Sequence, residues 1–255
     1  MSRWTALLLA GSRPQGDPLA RSMMLGHKAL IPVAGEPMVL HPLRALLASP
    51  EVADVIVLTQ HPEDLRPVLP DDARISLRAS RGTIAATIAE LIGDRAAQFP
   101  VLVTTADHAL LDPAMIAEFT SKAEGADLAI AVVERRPLLA RFPQTKRTWL
   151  SFRGGSYSGA NLFAFGSSRV LPAVEQWRAV EQERKKGWRV LAAIGPALVL
   201  GAVLRLRTLD QSVNSVGRKL GLSIRAIQMS NPIAAIDVDK PEDHALVEDI
   251  LASRA

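Results

Sequence analysis

Three ionisable residues, Lys28, Asp107 and Asp237, stand far apart in this 255-residue chain, each in a setting that suits phosphate chemistry. Lys28 closes a loop that follows the apolar run Thr5–Ala10 and begins Gly11-Ser12-Arg13-Pro14. A glycine lets backbone approach a phosphate closely, and turned N–H groups favour an anion. A lysine at the end of such a loop is a mobile point charge for a polyphosphate, and Arg13 and Arg21 add to it. Asp107 follows the apolar run Pro100–Thr104, and Asp237 opens Asp237-Val238-Asp239 ahead of Pro241. Isolated carboxylates of this kind hold magnesium together with phosphate oxygens. The plainer readings are a solvated basic loop after a strand, an Asx-turn at Asp107 and helix-start carboxylates near Pro241.

The elements that must position these residues follow from periodicity. Thr5–Ala10, Val52–Thr59, Pro100–Thr104 and Asp127–Val133 are short apolar runs that predict buried strands. Ala73–Leu77 and Ile224–Gln228 predict shorter strands, and Ser158–Phe165 a strand entered through a tight turn. Between them, Met38, Leu40, Leu43, Leu46 and Leu47 have helical spacing, as do Thr83–Ile92 and a segment opened by Pro113. Asp112 is the expected cap of that last helix. His61–Leu69 predicts a turn-rich connection and Arg135–Arg153 a basic, irregular one. Ser167–Lys186 predicts a charged helix, Leu209–Leu220 a polar helix ended by Gly221, and Pro241 to about Leu251 a last helix. Alternating strands and helices predict an α/β fold with a mostly parallel sheet, covered on both faces. Loops leaving the carboxyl ends of such strands are where ligands bind.

The opening segment resembles the MobA-like NTP transferases. These include molybdenum-cofactor, sugar-phosphate and alditol-phosphate nucleotidyltransferases. Their signature is roughly L-A-G-G-x-G-x-R, a variable loop, then K-x-L-x-P-V-x-G-x-P-M. Leu9-Ala10-Gly11 match its start, and Lys28, Leu30, Pro32-Val33, Gly35 and Pro37-Met38 its end. Ser12 stands where a second glycine is usual, and the loop is long, which leaves the phosphate-contacting arginine open between Arg13 and Arg21. The resemblance implies a Rossmann-like, mostly parallel mixed sheet of the nucleotide-diphospho-sugar transferase (GT-A-like) type. It implies that Leu9, Ala10, Gly11, Ser12 and Lys28 shape the nucleotide site. T-A-D-H-A-L-L-D-P resembles the metal region, so Asp107 is the implied magnesium ligand. I-D-V-D-K-P-E-D-H resembles the closing motif, so Asp237 completes the metal site, with Asp239 as runner-up. Asp243 is expected to serve the helix start instead.

Two weaker segments add to it. Arg81-Gly82-Thr83 with Ala86 resembles the family's G-T-x-x-A, which implies base and ribose contacts for Gly82 and Thr83, although helix capping explains the tripeptide equally well. S-G-A-N-L-F resembles an acceptor-contacting segment, which implies that role for Gly159 and Asn161; an asparagine turn is the alternative. Arg135, Arg136, Arg141, Lys146, Arg147 and Arg153 fit either an acceptor phosphate or a solvated basic loop. His108 and His244 lack ligand spacing and read as surface or hydrogen-bonding histidines.

Composition narrows the field. Aromatic residues are 4% of the chain, which argues against stacked recognition of single-stranded nucleic acid. The formal charge is +4, suited to an anionic small molecule, a nucleic acid or a membrane surface alike. No recognised nucleic-acid motif accompanies it, so no nucleic-acid partner is expected. There is no cysteine, which excludes disulfides, thiolate metal sites and a cysteine nucleophile, and is compatible with the cytoplasm, the expected location. No secretory leader is read at the start. Val190–Leu204 is apolar but too short to span a membrane; it reads as buried helices, with peripheral membrane contact as the alternative. One nucleotidyltransferase domain over 1–255 is expected, with 135–230 supplying an acceptor-side lobe, as a monomer or homodimer. The expected reaction is magnesium-dependent transfer of a nucleoside monophosphate from a triphosphate, CTP or GTP, to a phosphorylated small-molecule acceptor, releasing pyrophosphate. A glycosyltransferase of related fold and a non-catalytic nucleotide-binding scaffold are the alternatives.

Overall fold

A computed structural model describes residues 3–11, 16–80, 84–93, 97–172, 174 and 206–254. Its centre is β1 (Trp4–Leu9), buried along nearly its whole length. Alternate side chains of a strand face opposite ways. Accordingly Trp4, Ala6 and Leu8 enter one hydrophobic core and Leu7 enters the other. This two-sided burial is why the strand reads as an unbroken apolar run.

Three further helices and four strands follow before the central crossover. They are α1 (Pro18–Ser22), the small hairpin β2 (Pro32–Val33) and β3 (Glu36–Pro37), α2 (Leu40–Ala48), β4 (Val52–Thr59), α3 (Pro62–Leu65) and β5 (Ile75–Ala79). Then come α4 (Ile84–Gly93), β6 (Val101–Thr105), α5 (Pro113–Ala123), β7 (Leu128–Glu134), α6 (Arg135–Arg141), β8 (Leu150–Phe152) and β9 (Gly155–Phe165). The described chain ends with α7 (Leu209–Leu220), β10 (Ile224–Gln228) and α8 (Pro241–Ala252).

The main sheet runs β10-β7-β9-β6-β1-β4-β5, with β8 beside β9. All neighbours are parallel except β9, which runs against β6, β7 and β8. The larger core is closed by Leu43 and Leu46 of α2, Ile116 and Phe119 of α5, and Val247 and Ile250 of α8. Leu91 of α4 helps to close the smaller one. The fold is thus the mixed, mostly parallel α/β sheet expected.

Several boundaries match expectation. Val52–Thr59 and Ile224–Gln228 are strands as read, and Leu209–Leu220 is the polar helix. It ends at Gly221, whose φ of 68° is the left-handed conformation a glycine cap supplies. Asp112 caps α5 by accepting a hydrogen bond from Met115 N at 2.8 Å. The tight turn into β9 is Arg153-Gly154, with Gly154 at φ 99°. One expectation is corrected: Arg135–Arg153 is not irregular throughout. It holds α6, where Leu138 is fully buried, and β8, which pairs with β9. Pro137 sits in the first turn of α6, where its missing N–H costs nothing. Most of Ser167–Lys186, all of Val190–Leu204, and the motif residues Ser12, Arg13, Gly82 and Thr83 lie outside the described residues.

Candidate active site

From β1 the sheet grows outward through β4 and β5 on one side, and the chain then returns to place β6 on the other. The crevice at the carboxyl ends of β1 and β6 is therefore a topological switch point, where open α/β sheets bind ligands. Gly11 leaves β1 there and Asp107 leaves β6. A cleft of about 380 Å³ occupies the place, lined among others by Leu9, Gly11, Lys28, Asp107, Asn161, Asp237 and Asp239.

Lys28 is aimed into this cleft by a local device. It begins a single 3-10 turn, Lys28–Leu30, capped by the buried His27. His27 Nδ1 accepts from Ala29 N at 3.2 Å, so in the neutral ring Nε2 is the protonated nitrogen facing Thr59 Oγ1 at 3.0 Å. Burial lowers the pKa of His27, against the pull of Asp64, which keeps that tautomer neutral. Lys28 Nζ then lies 2.7 Å from Asp107 Oδ2 and 2.5 Å from Asp239 Oδ1. Burial opposes the charge on Lys28, but the two aspartates outweigh it and hold its pKa above the ordinary lysine value.

Asp237 lies on the other wall. The Arg147 guanidinium pairs with its Oδ1 and also donates to its backbone carbonyl at 3.2 Å. The same guanidinium reaches Asp243 Oδ1 at 2.9 Å. Asn161 Nδ2 donates to Asp237 Oδ2 at 2.9 Å. Burial, and then the nearby charges of Asp107 and Asp239, push the Asp237 carboxyl up to about 6, against the pull of Arg147 and Asn161. His108, beside Asp107, is fully buried rather than on the surface, and burial pushes it down to about 4. It lies 3.4 Å from Thr104 Oγ1. His244 faces the Pro32 carbonyl at 2.6 Å, a hydrogen-bonding histidine.

The donor set fits magnesium. Asp107 Oδ2 is taken by Lys28, while Oδ1 is buried without a hydrogen-bond partner. The charges of Asp107 and Asp239 bear on Asp237 across the cleft, and a cation relieves that repulsion. Among the described residues no group of three or more His, Asp or Glu has metal-holding geometry. An ion here would therefore rest on one or two carboxylates, with phosphate and water completing the shell, as is usual for magnesium.

Of the residues expected from sequence, the cleft gathers Leu9, Gly11, Lys28, Asp107, Asn161, Asp237 and Asp239, and Ala10 is buried just behind it. A side chain at Gly11 would meet the Gln60 amide at 3.0 Å, so glycine keeps that wall open. Arg21 is exposed on α1 and Gly159 is exposed on β9, and neither lines the cleft. Asp243 does hold the start of α8, accepting from Lys240 N at 3.2 Å, and also takes Arg147. Asp17 and Gln60 are polar lining residues that sequence reading missed. Asp17 was findable: Asp-Pro is a helix-start signature, and its Oδ1 caps α1 through Leu19 N and Ala20 N. The special place of Arg147 among six basic residues had no local signal.

The sheet order and the cleft define a mixed, mostly parallel α/β fold with a charged crevice at its switch point. The model of the MobA-like NTP transferase domain matches residues 6–198, and the chain belongs to that family. A hypothetical transferase from Thermus thermophilus is similar over 95% of this chain and 99% of that one, with 28% identity and a TM-score of 0.82. At 14% identity, a CMP:2-keto-3-deoxy-manno-octonic acid synthetase complexed with CTP shares the fold over the full length of both chains, TM-score 0.62. At 10% identity so does 4-diphosphocytidyl-2C-methyl-D-erythritol synthase from Anaerococcus prevotii, covering 98% of this chain and 96% of that one, TM-score 0.62. No curated protein matches the chain. Among the described residues no helix is long and apolar enough to cross a membrane.

Proposed function

We propose that the chain transfers a nucleoside monophosphate from a triphosphate to a phosphorylated small-molecule acceptor, with magnesium, releasing pyrophosphate. The observation that carries this is the pairing of Lys28 with Asp107 across the switch point of the sheet. Lys28 binds triphosphate oxygens, helped by Arg13 rather than by Arg21, which stands outside the cleft. Asp107 and Asp237 hold magnesium, which supplies charge neutralisation at the α-phosphorus and the leaving pyrophosphate. Catalysis is then positioning and charge stabilisation, without a side-chain nucleophile. Gly11, Ser12, Gly82 and Thr83 shape the nucleotide pocket. CTP leads GTP as donor, because two fold neighbours are named for cytidylyl chemistry. The acceptor side is the adjoining cavity of about 340 Å³, lined by Arg141, Phe142, Lys146, Lys240 and Asp243 among others. Arg147 links the two, pairing with Asp237, which lines the first cleft, and with Asp243, which lines this cavity. The expected setting is the cytoplasm.

Thermal unfolding with each of ATP, CTP, GTP and UTP tests the proposal. One triphosphate at a hundred times its Kd should stabilise by about 2.7 kcal/mol. For a chain of this size that is a rise in Tm of about 5–10 °C. Magnesium should enlarge the rise, and Lys28→Ala and Asp107→Asn should abolish it. Absence of any rise with all four, at millimolar concentration, would overturn the assignment.

A further inference from the structure

β9 carries a break in its pairing just where it passes the cleft. Ile130 pairs with Phe163 and Val132 with Gly159, so three residues of β9, 160–162, stand against Ala131 alone. Within this bulge Asn161 has φ 47°, the left-handed region that non-glycine residues seldom enter. Bulges re-aim a side chain, and a backbone held in a sparse region points to a function that the surroundings enforce. The side chain so aimed is an amide, and its Nδ2 lies 2.9 Å from Asp237 Oδ2. The other oxygen of the same carboxylate is taken by Arg147, whose side chain is only 8% exposed and is anchored by Asp243. Both oxygens of Asp237 are thus fixed from two directions by groups that come from separate strands and loops. Neither contact is explained by local structure: the partners are 76 and 90 residues away in sequence.

The geometry points to Asn161 and Arg147 as positioning residues that fix the Asp237 carboxylate toward the cleft, with the β9 bulge existing to deliver the Asn161 amide. This rests on the function proposed above, because it concerns the carboxylate assigned there to magnesium. Asparagine meets both demands: it tolerates left-handed backbone better than other side chains, and it carries a donor of the right length. Arg147 contributes a planar, permanently charged fork able to hold two carboxylates at once.

Asn161→Gly separates the two roles, because glycine adopts φ 47° without strain but has no amide. Its Tm without ligand should equal or exceed that of wild type, while the Kd for the magnesium complex of the triphosphate that stabilises wild type most rises at least tenfold. Asn161→Ala, strained as well as truncated, should unfold earlier yet show the same loss of affinity. Arg147→Lys should keep part of the affinity that Arg147→Ala loses. A Kd for Asn161→Gly within twofold of wild type would overturn the inference, since a residue present only for its backbone is replaced by glycine without loss. If wild type itself binds no triphosphate, the functional reading fails instead. Crystal structures of wild type and Asn161→Gly then decide the positioning role: a carboxylate of Asp237 that turns away in the variant supports it, and one that stays in place overturns it.

Discussion

The residue that carries the cleft's charge depends on the one before it. His27 is held neutral by burial, and its two ring nitrogens tie the turn that launches Lys28 to Ala29 and Thr59. A histidine whose folded pKa lies below its ordinary value contributes stability that is fully present above about pH 6.5. That stability is lost as the pH falls from there toward the folded pKa, because the unfolded chain takes up the proton first. His27→Asn should therefore cost most near pH 7, and the gap in Tm between it and wild type should narrow by pH 5; thermal melts of both proteins across that range check it. At this scale sequence legibility was uneven. Lys28, Asp107 and Asp237 stood out by type and setting, and the structure gathers them in one cleft. Arg147 did not stand out, because nothing in T-K-R-T-W separates an internal guanidinium from a solvated one. Only the fold brings it against Asp237 and Asp243.

Elements were read best where one chemical rule dominated. Val55–Leu58 of β4 is buried between two parallel neighbours and therefore apolar, and Leu209–Leu220 is bracketed by a Thr208 capping box and Gly221. Helix α6 was missed because seven residues with three arginines and a proline carry too little periodicity; its burial comes down to Leu138. The direction of β9 was not legible either, since an apolar strand reads the same parallel or antiparallel. Its end shows how closely the sheet is fitted. A Cβ at Gly166, the residue just after β9, would lie 2.0 Å from the Ala126 carbonyl oxygen, whereas one at Gly159 within the strand would meet nothing within 4 Å. Gly166→Ala should cost about 3 kcal/mol, the upper end of the roughly 1–3 kcal/mol usual for forced overpacking, because the clash is with backbone. Gly159→Ala should stay within about 0.5 kcal/mol of wild type, as unconstrained surface positions do. Urea unfolding midpoints of the two variants make the comparison.

Across the whole molecule, the two ends of the chain depend on one another. The 3-10 turn Pro232–Ala235, the segment after it and α8 pack Ile233, Ile236, Val238 and Val247 into the core begun by β1. Val238 N donates to the Asp107 carbonyl at 3.0 Å, and Glu248 accepts from Ala34 N at 2.7 Å. Full burial of each such aliphatic side chain is worth roughly 2 kcal/mol. Together they rival the entire stability of an ordinary domain, about 5–15 kcal/mol. A chain ending at residue 231 should lose its cooperative unfolding transition in calorimetry, rather than fold without a closing motif. That dependence was half visible in advance: the order of the opening and closing motifs suggested a shared site, but not that the second is also a structural keystone.

The twin ion pairs of Lys28 carry one more consequence. The ammonium already has two tight partners, so an arriving anion enters a competition, and its measured affinity is the difference between old bonds broken and new ones formed. Small anions of the cell's background, which bring nothing to the abandoned aspartates, are poor bidders in that exchange. A ligand that arrives with its own cation re-pairs every group it separates. Discrimination between the two then needs no wall or gate: it is built into the swap.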